Sequence, residues 1–144
     1  MVIKAQDPSD AAGYWLHHAA LRWRAELGRR LAVLDLTPTQ FDVLSALGWA
    51  DRTIGKPTQQ DIATHAGIDR MMTSKVLKVL IERGFAQRER SRLNLAAYTV
   101  NLTASGRGVL GGATAIARAA EREMFVHVPD LSSLKSTLKT IHPA

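Results

Sequence analysis

The residues able to do chemistry in this 144-residue chain crowd into one stretch. Between Arg70 and Arg92 lie Arg70, Lys75, Lys78, Arg83, Arg88, Arg90 and Arg92, opposed only by Glu82 and Glu89. That window carries +5 of the chain's formal +6, while the remainder holds 12 basic and 11 acidic residues. Charge gathered on one face suits a phosphate backbone. The same charge would also suit a solvated helix and hairpin.

The side chains differ in what they can contact. Arg70 can bond a guanine edge through two N–H groups, and Met71 can touch a thymine methyl. Thr73 and Ser74 can bond bases or phosphates, and Lys75 and Lys78 suit phosphates. Arg88, Arg90 and Arg92 can follow a backbone or enter a narrow minor groove; charge on an edge strand also blocks unwanted pairing. Thr58, Gln59 and Gln60 open a helix whose free N–H groups can hold a phosphate, although plain capping explains Thr58 equally well.

Other chemistries lack their residues. With no cysteine there is no disulfide, thiolate metal site or thiol switch. His17 and His18 are adjacent, so on a helix they point about 100° apart and form no chelating pair. Gly106-Arg107-Gly108 and Gly111-Gly112 match neither phosphate-loop spacing, and close helix packing or a soft helix start accounts for them better. No nucleophile–base–orienter set is present. The chain is expected to be no enzyme and to need no metal or cofactor. Tyr14, Trp15, His18, Trp23 and Trp49 could line a pocket for a small aromatic or anionic ligand, with Arg22 or Arg52 as counter-charge; Trp15 and Trp23 could instead pack a core or a dimer contact.

Spacing and capping signals predict the elements that position these groups. From Asp10 to Leu36, Trp15, Ala19, Trp23, Leu27, Leu31 and Leu34 form a helical apolar stripe. Thr37-Pro38-Thr39-Gln40 is a helix start with a capping box, and that helix should end near Trp49–Asp51. Thr58 caps a short helix that Gly67 stops. Asp69 caps the next, which should bury Met72, Val76, Val79 and Leu80 and leave Arg70, Thr73, Ser74, Lys75 and Lys78 open. Phe85 to Arg90 and Ala97 to Leu102 read as a β-hairpin. Thr103 caps a helix with Leu110, Ala113, Ala117, Ala120 and Met124 on one face, and Asp130 begins a last one bearing Leu131, Leu134, Leu138 and Ile141.

Two helices joined by a glycine turn, followed by a basic hairpin, make a winged helix. The fold class is therefore mainly α with a small β-hairpin wing: a winged helix-turn-helix flanked by N- and C-terminal dimerisation helices. Residues 1–36 and 108–144 would form the dimerisation helices and 37–107 the DNA-binding lobe of one continuous domain. No apolar run approaches a membrane span and Met1 to Asp10 holds no apolar leader segment, so a cytoplasmic protein with no membrane partner is expected.

Several segments carry a resemblance. Leu36-Thr-Pro-Thr-Gln-Phe-Asp-Val-Leu44 resembles the second-helix motif of the MarR family of bacterial transcriptional regulators. Pro57-Thr-Gln-Gln-Asp-Ile-Ala63, Gly67-Ile-Asp-Arg70 and Val76-Leu-Lys-Val-Leu-Ile-Glu-Arg-Gly84 resemble its helix-turn-helix. Leu102-Thr-Ala-Ser-Gly106 is similar to its post-wing motif, and Met71-Met-Thr-Ser74 to one of its branches. The resemblance implies a homodimer on pseudo-palindromic double-stranded DNA, with the helix from Asp69 in the major groove and the wing along the minor groove. It also implies repression relieved by a small ligand. At the wing tip the chain departs from the family: Leu93-Asn-Leu-Ala96 stands where an Asp-x-Arg-like segment is usual. An interaction or ligand-sequestering protein that keeps the winged helix but has lost specific DNA binding is the alternative.

Overall fold

The computed structural model describes residues 7–90 and 98–142. Helix α1 spans Ala12–Leu31 and is followed by a 3-10 turn, Ala32–Leu34. It stops earlier than the apolar stripe suggests because the chain turns at Asp35, whose φ of 56° is left-handed. Leu27 and Leu31 are buried, but Trp15 is 60% exposed and its indole N–H donates to the Ser9 carbonyl at 2.7 Å. The N-terminal half of α1 thus runs beyond the core of its own chain.

Helix α2 spans Pro38–Thr53, about a half-turn beyond the expected end. Its capping box forms: the Gln40 N–H donates to Thr37 Oγ1 at 3.1 Å and the Thr37 N–H to Gln40 Oε1 at 3.0 Å. Val43, Leu44, Ala46, Leu47 and Ala50 are fully buried, which places α2 at the centre of the core. Truncating either leucine should cost about 2–5 kcal/mol.

Helix α3, Gln59–Ala66, and helix α4, Arg70–Glu82, form the helix-turn-helix. Gly67 closes α3 at φ 68°, where a side chain would be strained. Asp69 Oδ1 accepts the Met72 N–H at 2.8 Å to start α4. The buried face of α4 is Thr73, Val76, Leu77 and Leu80. It differs from the expected face by one step. Met72 and Val79 are exposed, because the i, i+3, i+4, i+7 set that meets α2 begins at Thr73. The Thr73 hydroxyl donates to the Asp69 carbonyl at 2.8 Å, so its burial leaves no orphaned polar group.

Strands β1, Ala86–Arg90, and β2, Tyr98–Leu102, pair antiparallel from Ala86↔Leu102 to Arg90↔Tyr98. The Val100 N–H donates to the Pro57 carbonyl at 3.0 Å and Thr58 bridges Thr99, so the base of the wing is sewn to the start of α3. Arg92 and the tip Leu93–Ala96 lie outside the described residues.

Helix α5 spans Ala104–Met124 and packs along α1 and α2. The Thr103 hydroxyl accepts the Gly106 N–H at 3.0 Å and donates to the Gly84 carbonyl at 2.6 Å. Helix α6, Leu131–Ile141, buries no residue, and Leu138 and Ile141 are exposed. Among the described residues no helix is long and apolar enough to cross a membrane.

Candidate nucleic-acid interface

The open face of α4 presents Arg70, Met71, Ser74, Lys75 and Lys78. Positions 70, 74 and 78 repeat every four residues and positions 71, 75 and 78 at four and three, so they share one surface. Met71 is 70% exposed, unusual for an apolar side chain without a partner. Thr73 leaves this set. It was expected on the open face, but it is buried and its hydroxyl is held by Asp69. Met72 stands nearer the surface in its place.

Three elements converge beside that face. A cleft of about 390 Å³ is lined by Thr58, Gln59 and Gln60 from the start of α3, Arg70 and Ser74 from α4, and Arg88, Tyr98 and Val100 from the wing. Thr58 is committed to capping. Its N–H donates to Asp61 Oδ2 at 2.8 Å, and its hydroxyl accepts the Asp61 N–H at 3.2 Å. The first-turn N–H groups of α3 remain without helical partners, as in any helix.

Arg88 and Arg90 both flank one ring. Their guanidinium carbons lie 5.7 and 5.6 Å from the Tyr98 centroid, and Arg90 Nη2 donates to Tyr98 Oη at 3.2 Å. That hydrogen bond holds the Tyr98 phenol below its ordinary pKa and raises that of Arg90. Arg83, by contrast, is structural: it donates to the Asp35 carbonyl at 2.7 Å and lies over the Phe85 ring. Its charge belongs to the joint between α4 and the end of α1.

Tyr98 is absent from the sequence-based site. Strand alternation groups Tyr98 with Val100 and Leu102, which are buried, yet Tyr98 is 43% exposed. The three share a face, but by Tyr98 the hairpin has run past the core. An aromatic residue directly opposite an arginine is the available signal.

The aromatic cluster does not form one pocket. Tyr14 meets Trp15 at 5.2 Å and His18 at 4.2 Å on the exposed start of α1. Trp49 instead stacks flat on His65 of α3, centroids 3.8 Å apart. Arg22 lines a separate groove beside Glu26, Arg30 and Glu123. The larger cavity, about 800 Å³, lies between α2 and α5 and includes Ser45, Asp51, Arg52, Arg107, Leu110 and Arg118 in its lining. Of the expected pocket residues only Arg52, the alternative counter-charge, borders it; the aromatic residues, His18 and Arg22 do not. Small residues at Gly48, Gly111 and Ala115 leave its volume unfilled.

Residues 34–94 match the model of the MarR family. The chain is 26% identical over 140 residues to YdcH, an uncharacterized HTH-type transcriptional regulator of Bacillus subtilis (strain 168), covering 94% of this chain and 95% of that protein. It is similar in structure to the transcriptional repressor CouR bound to a 23-mer DNA duplex: TM-score 0.81, 27% identity, 98% of this chain and 96% of that one. It is also similar to a probable transcriptional regulator from Pseudomonas aeruginosa, with TM-score 0.76 and 27% identity over 94% of this chain and 96% of that one. These relatives are transcriptional regulators rather than enzymes.

Proposed function

We propose that the chain is a regulator of the MarR family, whose model it matches over residues 34–94, and that it is a homodimeric, sequence-specific DNA-binding repressor released by a small anionic ligand. The observation that carries this reading is the convergence of α3, α4 and the wing on one cleft edged by Arg70, Ser74 and Arg88. CouR, whose fold the chain shares, is a repressor bound to a DNA duplex. With its partner in DNA, the protein acts in the cytoplasm.

In this reading residues 37–107 are the DNA-binding lobe. Helix α4 enters the major groove, Arg70 and Met71 meet base edges, and Ser74, Lys75 and Lys78 meet backbone or bases. Arg88, Arg90 and Arg92 follow the phosphates. The segments 1–36 and 108–144 dimerise. Trp15, Leu21 and Ile141 support that role, since each leaves a large apolar surface exposed in the single chain. Two-fold symmetry then calls for half-sites about 10 bp apart.

The ligand site is the cavity between α2 and α5. Arg52, Arg107 and Arg118 surround it with positive charge, and Phe41 and Leu110 give it an apolar wall. That combination suits an aromatic or apolar acid.

Fluorescence anisotropy with the duplex upstream of the protein's own gene, against a random duplex, tests the reading. Preference for the former and a steep loss of affinity with salt are expected. Equal affinity for both, or a flat salt dependence, overturns it. Retained ligand binding without DNA binding would instead mark the ligand-sequestering alternative.

A further inference from the structure

The wing holds an arrangement that strand protection alone does not require. Two guanidinium groups of like charge, Arg88 and Arg90, lie against the same exposed ring, each within the range of a cation–π contact. The register explains how: Arg90 is paired directly with Tyr98, and Arg88, paired with Val100, is the diagonal neighbour on the same face. An exposed arginine ordinarily samples many rotamers and loses that freedom when it binds a phosphate. Here the ring lies against both guanidiniums, and Oη holds that of Arg90 by a hydrogen bond. Because Oη accepts from Arg90, the phenol's own hydrogen is not used in that bond, and it has no acceptor among the described residues.

We propose that Tyr98 is a positioning and contact residue of the nucleic-acid interface: it holds Arg88 and Arg90 as a paired phosphate clamp and donates its O–H to the same phosphodiester. This rests on the DNA-binding reading. Arg88 and Tyr98 of the clamp line the cleft shared with Arg70 and Ser74, so the phosphate it holds flanks the groove occupied by α4. Among the described residues the charged groups facing the phenol are Arg88 and Arg90 of β1, with Arg70 of α4 across the cleft; Asp61 of α3 is engaged in its capping box, and Glu89 lies on the opposite face of β1. A phenolate would attract the arginines but repel a phosphate. DNA affinity should therefore fall as Tyr98 ionises.

Two variants test this, and the exposure of Tyr98 favours their folding, which circular dichroism checks. Tyr98→Phe should bind both specific and random duplexes about 3–10-fold more weakly, one hydrogen bond's worth, with its sequence preference unchanged. Tyr98→Leu should lose more, and Arg90→Ala should then cost less in the Leu background than in the wild type. Between pH 8 and roughly 10, near the range of the phenol, affinity should fall for the wild type more than for Tyr98→Phe. Without DNA, the absorbance titration of wild type minus Tyr98→Phe reports the phenol itself, and Arg90→Ala should move it upward. Wild-type affinity in Tyr98→Phe, additive losses in the cycle, or a phenol indifferent to Arg90 would each overturn the proposal. A wild type that binds no duplex would overturn the DNA-binding reading as well, whereas the phenol titration stands apart from it.

Discussion

The side-chain amide of Asn101 on β2 donates to Asp51 Oδ1 at 2.8 Å and to the Gly55 carbonyl at 2.9 Å. Both amide hydrogens are used, and one partner, Asp51, borders the cavity between α2 and α5. The wing and the proposed ligand site therefore share a wall. A ligand anion drawn to Arg52 sits beside the Asp51 carboxylate and bears on the bond that fastens the wing. Asn101→Ala should cost about 1–2 kcal/mol in urea unfolding. In anisotropy, an acid that stabilises both proteins against heat should release DNA from the wild type more than from the variant. Equal release from both would place the coupling elsewhere.

Gly106 and Gly108 differ in what a methyl group would meet. A Cβ on Gly106 would fall well inside contact distance of the Phe85 carbonyl, which is backbone and cannot swing aside. Gly106→Ala should lower stability by more than about 2 kcal/mol, or prevent folding, because α5 must lift from the end of α4. Gly108 lies on the same helix with nothing within 4 Å of such an atom. Gly108→Ala should be neutral or stabilise by about 0.5–1 kcal/mol, as helix propensity dictates. Equal thermal shifts for the two would contradict the close approach.

These contrasts show which features local sequence carries. The capping boxes at Thr37 and Thr58, the Asp69, Thr103 and Asp130 caps and the stop at Gly67 involve residues within a few positions of one another. Spacing alone therefore reveals them. The exposed residues Arg70, Met71, Ser74, Lys75 and Lys78 follow from the same helical period. What spacing leaves open is rotation: Thr73 and Met72 exchange places because the crossing with α2 selects the face. Cavities are harder still. The aromatic residues drew attention to Tyr14 and Trp49, but aromatic rings fill space, and the cavity lies where glycine and alanine leave space empty. Its arginines, on α2 and α5, become neighbours only through tertiary packing.

The acid limb of stability should report the joint between α1 and α5. Glu26 accepts from Arg29 at 2.6 Å and from Arg30 at 2.7 Å, and Arg30 also bonds Glu123. The hydrogen bonds from Arg29 and Arg30 lower the Glu26 pKa to about 2. A carboxyl whose folded pKa lies below its unfolded value, near 4.3, stabilises the fold above that unfolded value. The contribution fades as pH falls from there through about 2. Asp42 works in the opposite sense, since burial raises its pKa against the bond from Arg24. Melting temperatures of the wild type should therefore drop more steeply between pH 4.5 and 2.5 than those of Glu26→Gln. Parallel curves would mean that the network contributes nothing in solution.

Arg70 and Lys78 lie on one face of α4, two turns apart, and should fail in different ways when removed. Arg70 follows the N-cap Asp69, at the end of the helix proposed to lead into the groove, and its planar fork can bond a guanine edge twice. Arg70→Ala should cost about 1–3 kcal/mol on the preferred duplex and little on a random one, so preference relaxes. Lys78 sits in the second half of α4 with a point charge and no fixed geometry, suited to a phosphate. Lys78→Ala should weaken every duplex alike and reduce the slope of log affinity against log salt by about one. Four affinity series, two duplexes against each variant over a range of salt, separate the outcomes. A uniform loss for Arg70→Ala, or a sequence-dependent loss for Lys78→Ala, would mean that α4 enters the groove in another orientation.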